Sequence, residues 1–167
     1  YRLHALTRRK HGLPPQPWSF FEAVQRHVVA NGLGFVIIAR RDGEAIAGDV
    51  FFHFGNRAVY KYGASDERRQ QLRGSSLAMW AGIQHCVELG CRSLDFGRTS
   101  LGNKGLRRFK LGWGTAEEQL DYWKYSYRLR GFVTERDQAE GLHNRLFRLM
   151  PLRMARWVGA VMYRHVG

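Results

Sequence analysis

The run from Phe35 to Phe54, Phe-Val-Ile-Ile-Ala-Arg-Arg-Asp-Gly-Glu-Ala-Ile-Ala-Gly-Asp-Val-Phe-Phe-His-Phe, constrains the fold more than any other part of the chain. β-Branched and aromatic residues lie on both sides of one Asp42-Gly43 pair, and Asp-Gly supplies the positive φ angles of a two-residue hairpin turn. Two antiparallel strands follow. Gly55-Asn56 makes another turn and Ala58-Val-Tyr-Lys-Tyr-Gly-Ala64 a third strand, so the segment predicts an antiparallel meander. Gly48, inside the second strand, marks a bulge or a close backbone approach.

A meander needs helices to cover its apolar faces. Tyr1 to His11 has helical spacing, Gly12-Leu-Pro-Pro-Gln-Pro17 breaks the backbone, and Trp18-Ser-Phe-Phe-Glu-Ala-Val-Gln-Arg-His-Val-Val29 resumes it until Asn31-Gly32. Beyond the meander, Ser75 to Gly90 carries apolar residues at three- and four-residue steps, with a Ser able to cap its start and Gly at its end. Arg92-Ser-Leu-Asp-Phe96 then reads as a short strand returning to the sheet, which makes the helix a crossover connection. Asn103 to Lys110 predicts a short helix. Glu118 to Leu129 alternates over a long run and predicts a final strand.

From Gly141 to Gly167, Leu142, Leu146, Leu149, Met150, Met154, Trp157, Val158, Val161 and Met162 recur at helical steps. Arg145, Arg148, Arg153, Arg156 and Arg164 occupy much of the rest, and Pro151 kinks or divides the segment. Such a basic amphipathic tail packs on its own domain, on a missing neighbour, or on an anionic membrane surface. The organisation expected is a mixed α+β domain over residues 1–130, mostly antiparallel sheet flanked by helices, followed by this helical tail over 131–167.

The chain has 167 residues, 44% of them hydrophobic, enough for one real core. It begins at Tyr1 without a capping signal and reads as a piece of a longer protein. No apolar run approaches the roughly 18 residues of a membrane-spanning helix, and no signal-peptide region is present. Cys86 and Cys91 match no zinc spacing, so the expectation is reduced thiols, no metal and a cytoplasmic setting, with peripheral contact to the inner membrane through the tail as an option. Lys plus Arg number 27 against 14 Asp plus Glu, a formal charge of +13, which directs attention to anionic partners or, more plainly, to a soluble basic surface.

The residues that carry chemistry concentrate in Ser93-Leu-Asp-Phe-Gly-Arg-Thr-Ser100 and Gly105-Leu-Arg-Arg-Phe-Lys-Leu-Gly-Trp-Gly114. A strand ending in Asp95 brings a carboxylate, the turn residue Gly97 and the Arg98 guanidinium to one rim of the sheet, with Lys110 a short distance beyond. Such a rim suits an anionic substrate. The alternative is that Asp95 and Arg98 form a structural ion pair and Lys110 a solvated surface charge. Tyr60, Tyr62 and His53 are further candidates for the rim, His53 being more simply a strand residue.

The element order resembles the acetyltransferase (GNAT) fold. Tyr60-Lys-Tyr-Gly-Ala-Ser65, the Trp80-containing helix, Asp95-Phe-Gly-Arg98 and Phe109-Lys-Leu-Gly-Trp-Gly114 together resemble the FemAB-like acyltransferases and their relatives in exopolysaccharide and protein-sorting systems. That resemblance implies the C-terminal half of a protein built from two acetyltransferase-like halves, the N-terminal half being the missing partner. It also implies acyl or aminoacyl transfer to an amine of an envelope or exopolysaccharide precursor. The lysine of the family's Phe-Lys motif is associated with transfer, which points to Lys110, with Asp95 as base, Arg98 on anionic groups, and Tyr60, Tyr62, Ser65 and Phe109 on substrate. Chemically, a fixed ammonium near the developing charge lowers the barrier, and the amine needs a proton acceptor.

The donor is open between aminoacyl-tRNA and acyl-coenzyme A, neither bound covalently. Acetyltransferases that use coenzyme A hold its pyrophosphate on Gln/Arg-x-x-Gly-x-Gly/Ala at the start of the central helix. Here Gln71-Leu-Arg73-Gly74-Ser75-Ser76 stands there, with Ser in the last place, and an ordinary helix start capped by Ser75 is the plainer reading. Three functions remain: a FemAB-like transferase, a non-catalytic half that binds RNA or anionic membrane, or a coenzyme A-dependent N-acetyltransferase.

Overall fold

A computed structural model describes residues 1–133 and 142–163. β1 (Gly34–Arg41), β2 (Glu44–Phe54) and β3 (Arg57–Ser65) form the expected antiparallel meander, and β4 (Ser93–Asp95) joins the outer edge of β3 in parallel. Asp42 and Gly43 both take positive φ (51° and 79°), as the hairpin turn requires. The crossover from β3 to β4 is α3 (Gly74–Glu88). This is the α+β fold read from the sequence, a mixed sheet with flanking helices.

Two bulges shape the sheet. Ile46 is the extra residue where Ala39 faces Ala47 and Arg40 faces Ala45, so adjacent residues Ile46 and Ala47 are both buried beneath the start of α3. Lys61 is the extra residue on β3, where Phe51 faces Tyr60 and Val50 faces Tyr62. This shift sends Tyr60 toward Phe51 and Tyr62 to the opposite face, against His4 and Phe21. Gly48 is at neither bulge. Ile38 lies over it, and a Cβ there would sit 2.8 Å from Ile38 Cδ1.

α3 covers the face that carries Ala47 and Phe51. Phe51 is fully buried, stacked on Phe35 with ring centroids 5.0 Å apart, and its ring occupies the space that a side chain at Gly82 would need. α1 (Arg2–Lys10) and α2 (Trp18–Val24), the latter continuing through a π-helical turn at Gln25–Val29, cover the other face. Pro151 does divide the tail, capping α6 (Leu152–Met162) after α5 (Leu142–Leu149). α6 packs on the chain's own first elements. Gly159 abuts the Pro15 carbonyl, Arg156 lies 4.7 Å over the Tyr1 ring, and Arg8 Nη2 donates to the Tyr163 hydroxyl at 3.0 Å. Arg164 lies outside the described residues.

The chain divides into two compact units, Tyr1–Gly97 with Leu142–Gly167, and Arg98–Gly141. The second contains α4 (Lys104–Leu111), capped by Asn103, and a small hairpin of β5 (Lys124–Ser126) and β6 (Gly131–Val133). The long strand expected from Glu118 to Leu129 is therefore not formed. Leu129 N–H donates to Ser126 Oγ at 3.2 Å and turns the chain after three strand residues, and the alternating aromatics Trp123 and Tyr125 remain exposed.

Because Gly82 is where α3 crosses Phe51, Gly82→Ala forces a fully buried ring to move. Overpacking of this kind costs about 1–3 kcal/mol, and the expected result is a clear drop in melting temperature in a thermal unfolding scan. Unchanged melting would show that α3 does not depend on this contact.

Candidate active site

β3 is nine residues long and β4 only three. They pair at Arg57 with Ser93, Ala58 with Leu94 and Val59 with Asp95, after which the strands part. From Tyr60 to Ser65 the outer edge of β3 has no strand partner among the described residues. The Lys61 bulge begins where the pairing stops. An open strand edge offers backbone donors and acceptors to an extended ligand, as an added strand would.

That edge runs toward the start of α3. The helix begins at Gly74 after Arg73, which takes a left-handed conformation (φ 53°), and no side chain caps it. The expected Ser75 cap is therefore not made: Gly74, Ser75 and Ser76 are the first helical turn, and Ser75 follows the cap position instead of holding it. Leu77 N–H donates to Arg73 O at 3.1 Å, so the N–H groups of Gly74, Ser75 and Ser76 precede the first intrahelical bond. Gly74 serves packing: a Cβ there would lie 3.0 Å from Ile46 and 3.2 Å from Ala47. Nearby, Arg68 is paired with Asp66 at 2.6 Å and Arg69 with Glu44 at 2.8 Å, while Gln71 and Arg73 are exposed at the helix start. An uncapped helix start with an adjacent guanidinium fits a phosphate group.

One feature escaped the sequence reading. Asp49, on β2, is 2% exposed. Its Oδ1 accepts from the Tyr60 hydroxyl at 3.3 Å, and its Oδ2 has no hydrogen-bond partner among the described residues. Burial raises the Asp49 carboxyl to about 7, partly opposed by the Tyr60 hydrogen bond. Tyr60 is itself pushed up by burial and by the neighbouring carboxylate. The pair lies over β3 at Gly63, whose missing side chain leaves room for the Tyr60 hydroxyl. The Tyr60 ring lies 6.1 Å from Phe96, just beyond the end of β4, and so reaches toward the parted strands. The available signal was the strand period, which puts Asp49 on the same face as the core residues Ala47 and Phe51.

On the opposite face, α1, α2 and the meander enclose a cleft of about 490 Å³. Its walls are Trp18, Phe21, Val36, Ile38, Val50 and Tyr62, and its charged groups are Glu22 and Arg26. His4 faces it as a neutral imidazole, lowered to about 4 by burial, its Nε2 2.7 Å from Gln16 Oε1. Tyr62, Gly63 and Ala64, on the part of β3 whose outer edge is open, form part of the lining.

Of the other candidates, Asp95 is exposed and accepts the Gly97 N–H at 2.6 Å. Ser65 is held by Thr7, which accepts its N–H and donates to its carbonyl. His53 is a half-buried strand residue whose N–H donates to Leu33 O. In the second unit, Lys110 is 8% exposed and donates to the Arg98 carbonyl at 3.1 Å, Arg98 lies 5.2 Å over the Tyr122 ring, and Phe109 packs edge-on to Trp113. Lys110 is thus not a solvated surface charge. No group of three or more His, Cys, Asp or Glu that would hold a metal occurs among the described residues.

Several solved structures share this fold. An aminoglycoside N-acetyltransferase, AAC(6')-Iy, in complex with coenzyme A aligns at 18% identity and TM-score 0.59, over 72% of this chain and 86% of its own. A putative acetyltransferase from Agrobacterium tumefaciens aligns at 14% identity and TM-score 0.59, over 74% and 91%. An aminoglycoside acetyltransferase from an uncultured soil metagenome, in complex with sisomicin, aligns at 18% identity and TM-score 0.54, over 63% and 72%. At these identities the likeness is one of fold. No curated protein sequence matches. Residues 1–125, however, match the acetyltransferase (GNAT) domain as a sequence family, and on that match, which spans the meander, the crossover helix and β4, the chain belongs to the GNAT acetyltransferases.

Proposed function

We propose that this protein is a coenzyme A-dependent N-acyltransferase that uses the open edge of β3 and the start of α3 for the donor and the aromatic cleft for the body of the acceptor, whose amine passes the open β3 edge at Tyr62–Ala64 to reach Tyr60 on the other face. The observation that carries the reading is the parting of β3 from β4 toward an uncapped helix start. An acyl thioester has an extended amide-bearing arm, which suits a strand edge, and a pyrophosphate, which suits the N–H groups of Gly74, Ser75 and Ser76 with Arg73 and Gln71 beside them. An aminoglycoside acetyltransferase of the same fold, AAC(6')-Iy, has been solved with coenzyme A and with a coenzyme A bisubstrate analogue, which favours this donor over tRNA. When bound, the thioester supplies an activated acyl carbon: the amine forms the new C–N bond, the C–S bond breaks and the thiol leaves with a proton.

The chain's part is to hold the amine and take its proton. An alkylamine is protonated at neutral pH and attacks only after losing that proton. Tyr60 reaches the parted strands and accepts the proton at its hydroxyl oxygen while passing its own to Asp49, whose raised carboxyl holds it near pH 7. The cleft walls fit an amine on an apolar or aromatic body better than a polycation, because among the described residues that line it Glu22 is the one carboxylate.

A second reading keeps the FemAB-like assignment, with aminoacyl-tRNA as donor and an envelope amine as acceptor. The buried Lys110, in the Phe109-Lys110 pair of the second unit, favours it. Lys110→Met separates the two. Loss of aminoacyl transfer with coenzyme A binding intact supports the tRNA reading, whereas acetyl transfer to phenethylamine that survives the change supports the thioester reading.

Calorimetric titration with coenzyme A tests the donor site. Arg73→Gly keeps the left-handed backbone and removes the cation, and a lost charge-assisted contact weakens binding by about tenfold or more. Ser76→Glu, which sets a carboxylate against the phosphates, abolishes it. Equal affinity in all three proteins sinks the assignment.

Asp49→Asn and Tyr60→Phe test the proton path. With acetyl-coenzyme A and phenethylamine, the wild-type rate rises with pH through about 7, and both variants lose this limb and about a hundredfold or more in rate. Stability supplies an independent check. A carboxyl raised on folding binds its proton more tightly in the native state, so its contribution is full below the ordinary carboxylate range and is lost as pH rises toward 7. Asp49→Asn removes that loss, and its melting temperature therefore gains on wild type between pH 5 and pH 8.

A further inference from the structure

The tail repeats one short pattern. Arg145-Leu-Phe-Arg148-Leu149 is followed, eight residues on, by Arg153-Met-Ala-Arg156-Trp157, each an Arg-apolar-x-Arg-apolar unit. Three-residue steps on a helix set the two arginines together on one flank and the two apolar residues together on the next. α6 turns Ala155 and Gly159 inward, against the Gly12–Pro17 loop in the case of Gly159. What remains outward is apolar: Leu146 is 63% exposed, Leu149 85%, Met154 55%, Trp157 70% and Val161 41%. All four arginines are exposed beside them, and no Asp or Glu occurs between Leu142 and Tyr163.

We infer that α5 and α6 dock this protein on an anionic lipid bilayer, lying in the plane of the surface. Leu149, Met154 and Trp157 enter the boundary between headgroups and acyl chains, while Arg145, Arg148 and Arg153 meet lipid phosphates, their stems following the apolar strip. Charge decides the occupant. A second copy docked on the same face by two-fold symmetry would set arginine against arginine with no acid to answer it. RNA would answer the arginines but gain nothing from Leu149, Met154 and Val161. A bilayer with anionic headgroups satisfies both halves of the pattern. α6 spans eleven residues and no helix among the described residues is long and apolar enough to cross a membrane, so the contact is peripheral. The inference stands apart from the choice of acyl donor.

Flotation of the whole chain with vesicles tests it. Binding is expected to phosphatidylcholine mixed with phosphatidylglycerol, and not to phosphatidylcholine alone. Leu149→Glu with Trp157→Glu abolishes it, and Arg145→Gln, Arg148→Gln and Arg153→Gln together weaken it on the order of a hundredfold. These side chains are exposed, so circular dichroism and melting should match wild type. If the glutamate variant melts early, the glutamine variant decides. Absence of binding to the anionic vesicles, equal binding to neutral ones, or binding unchanged by both variants overturns the inference. So does self-association in sedimentation that the glutamate changes abolish in a protein that does not float.

Discussion

The contact between Phe51 and Gly82 fixes the geometry on which the rest depends. A ring at the centre of β2 lies directly under a position of α3 that has no side chain, and Phe35 stacks on the ring from β1. The helix can then approach the sheet closely, and its first turn rests on Ile46 and Ala47. Without that approach the start of α3 would not stand at the end of β3, and β4 would not return beside Val59. The parted strands and the uncapped helix start are thus consequences of core packing, and the donor site proposed here is built from backbone held by it.

The surplus of positive charge is less uniform than the sequence implies. Asp66 is buried, accepts the Arg68 side chain and backbone, and has Arg2 at 3.7 Å; Arg68 holds its carboxyl down to about 2. Glu44 takes Arg69, Glu67 takes Lys10 and Glu117 takes Arg107 through both of its oxygens. These acids tie down cations around the end of β3 and on α4. Arg73 at the start of α3 and Arg145, Arg148 and Arg153 on the tail are among the cations that no carboxylate ties down among the described residues. The proposed donor phosphates draw on the first and the proposed lipid surface on the second, so part of the basic composition answers to local demands.

The meander, the crossover helix, the short return strand, the α4 segment and the division of the tail at Pro151 were legible in the sequence, because each rests on local chemistry: turn residues, helical spacing, a ring that cannot continue a helix. The final strand was not, since the alternation of Trp123, Tyr125 and Tyr127 has the right period but, among the described residues, only the three-residue β6 to pair with, and Ser126 turns the chain. The bulges at Ile46 and Lys61 leave no local mark either. Each is settled by the register of a neighbouring strand, and each changes which face a site residue occupies. That is why Tyr60 and Tyr62, two residues apart and expected on one rim, point to opposite sides of the sheet. Capping at Ser75 was misjudged for a related reason: packing of Gly74 on β2, not the hydroxyl, decides where the helix begins.

Asp49 shows where local pattern and overall stability part company. Its place in the strand period is a core position, flanked by Ala47 and Phe51, and an apolar residue there would remove the cost of burying a carboxyl. One hydrogen bond from Tyr60 recovers part of that cost and leaves Oδ2 without a partner among the described residues. Asparagine would be nearly the same size and carry no titratable proton, so packing alone does not call for aspartate. A carboxyl that stays protonated below neutrality and ionises near it is the property that distinguishes the two. It is also the property that the proposed amine acylation requires of a proton acceptor reached through Tyr60.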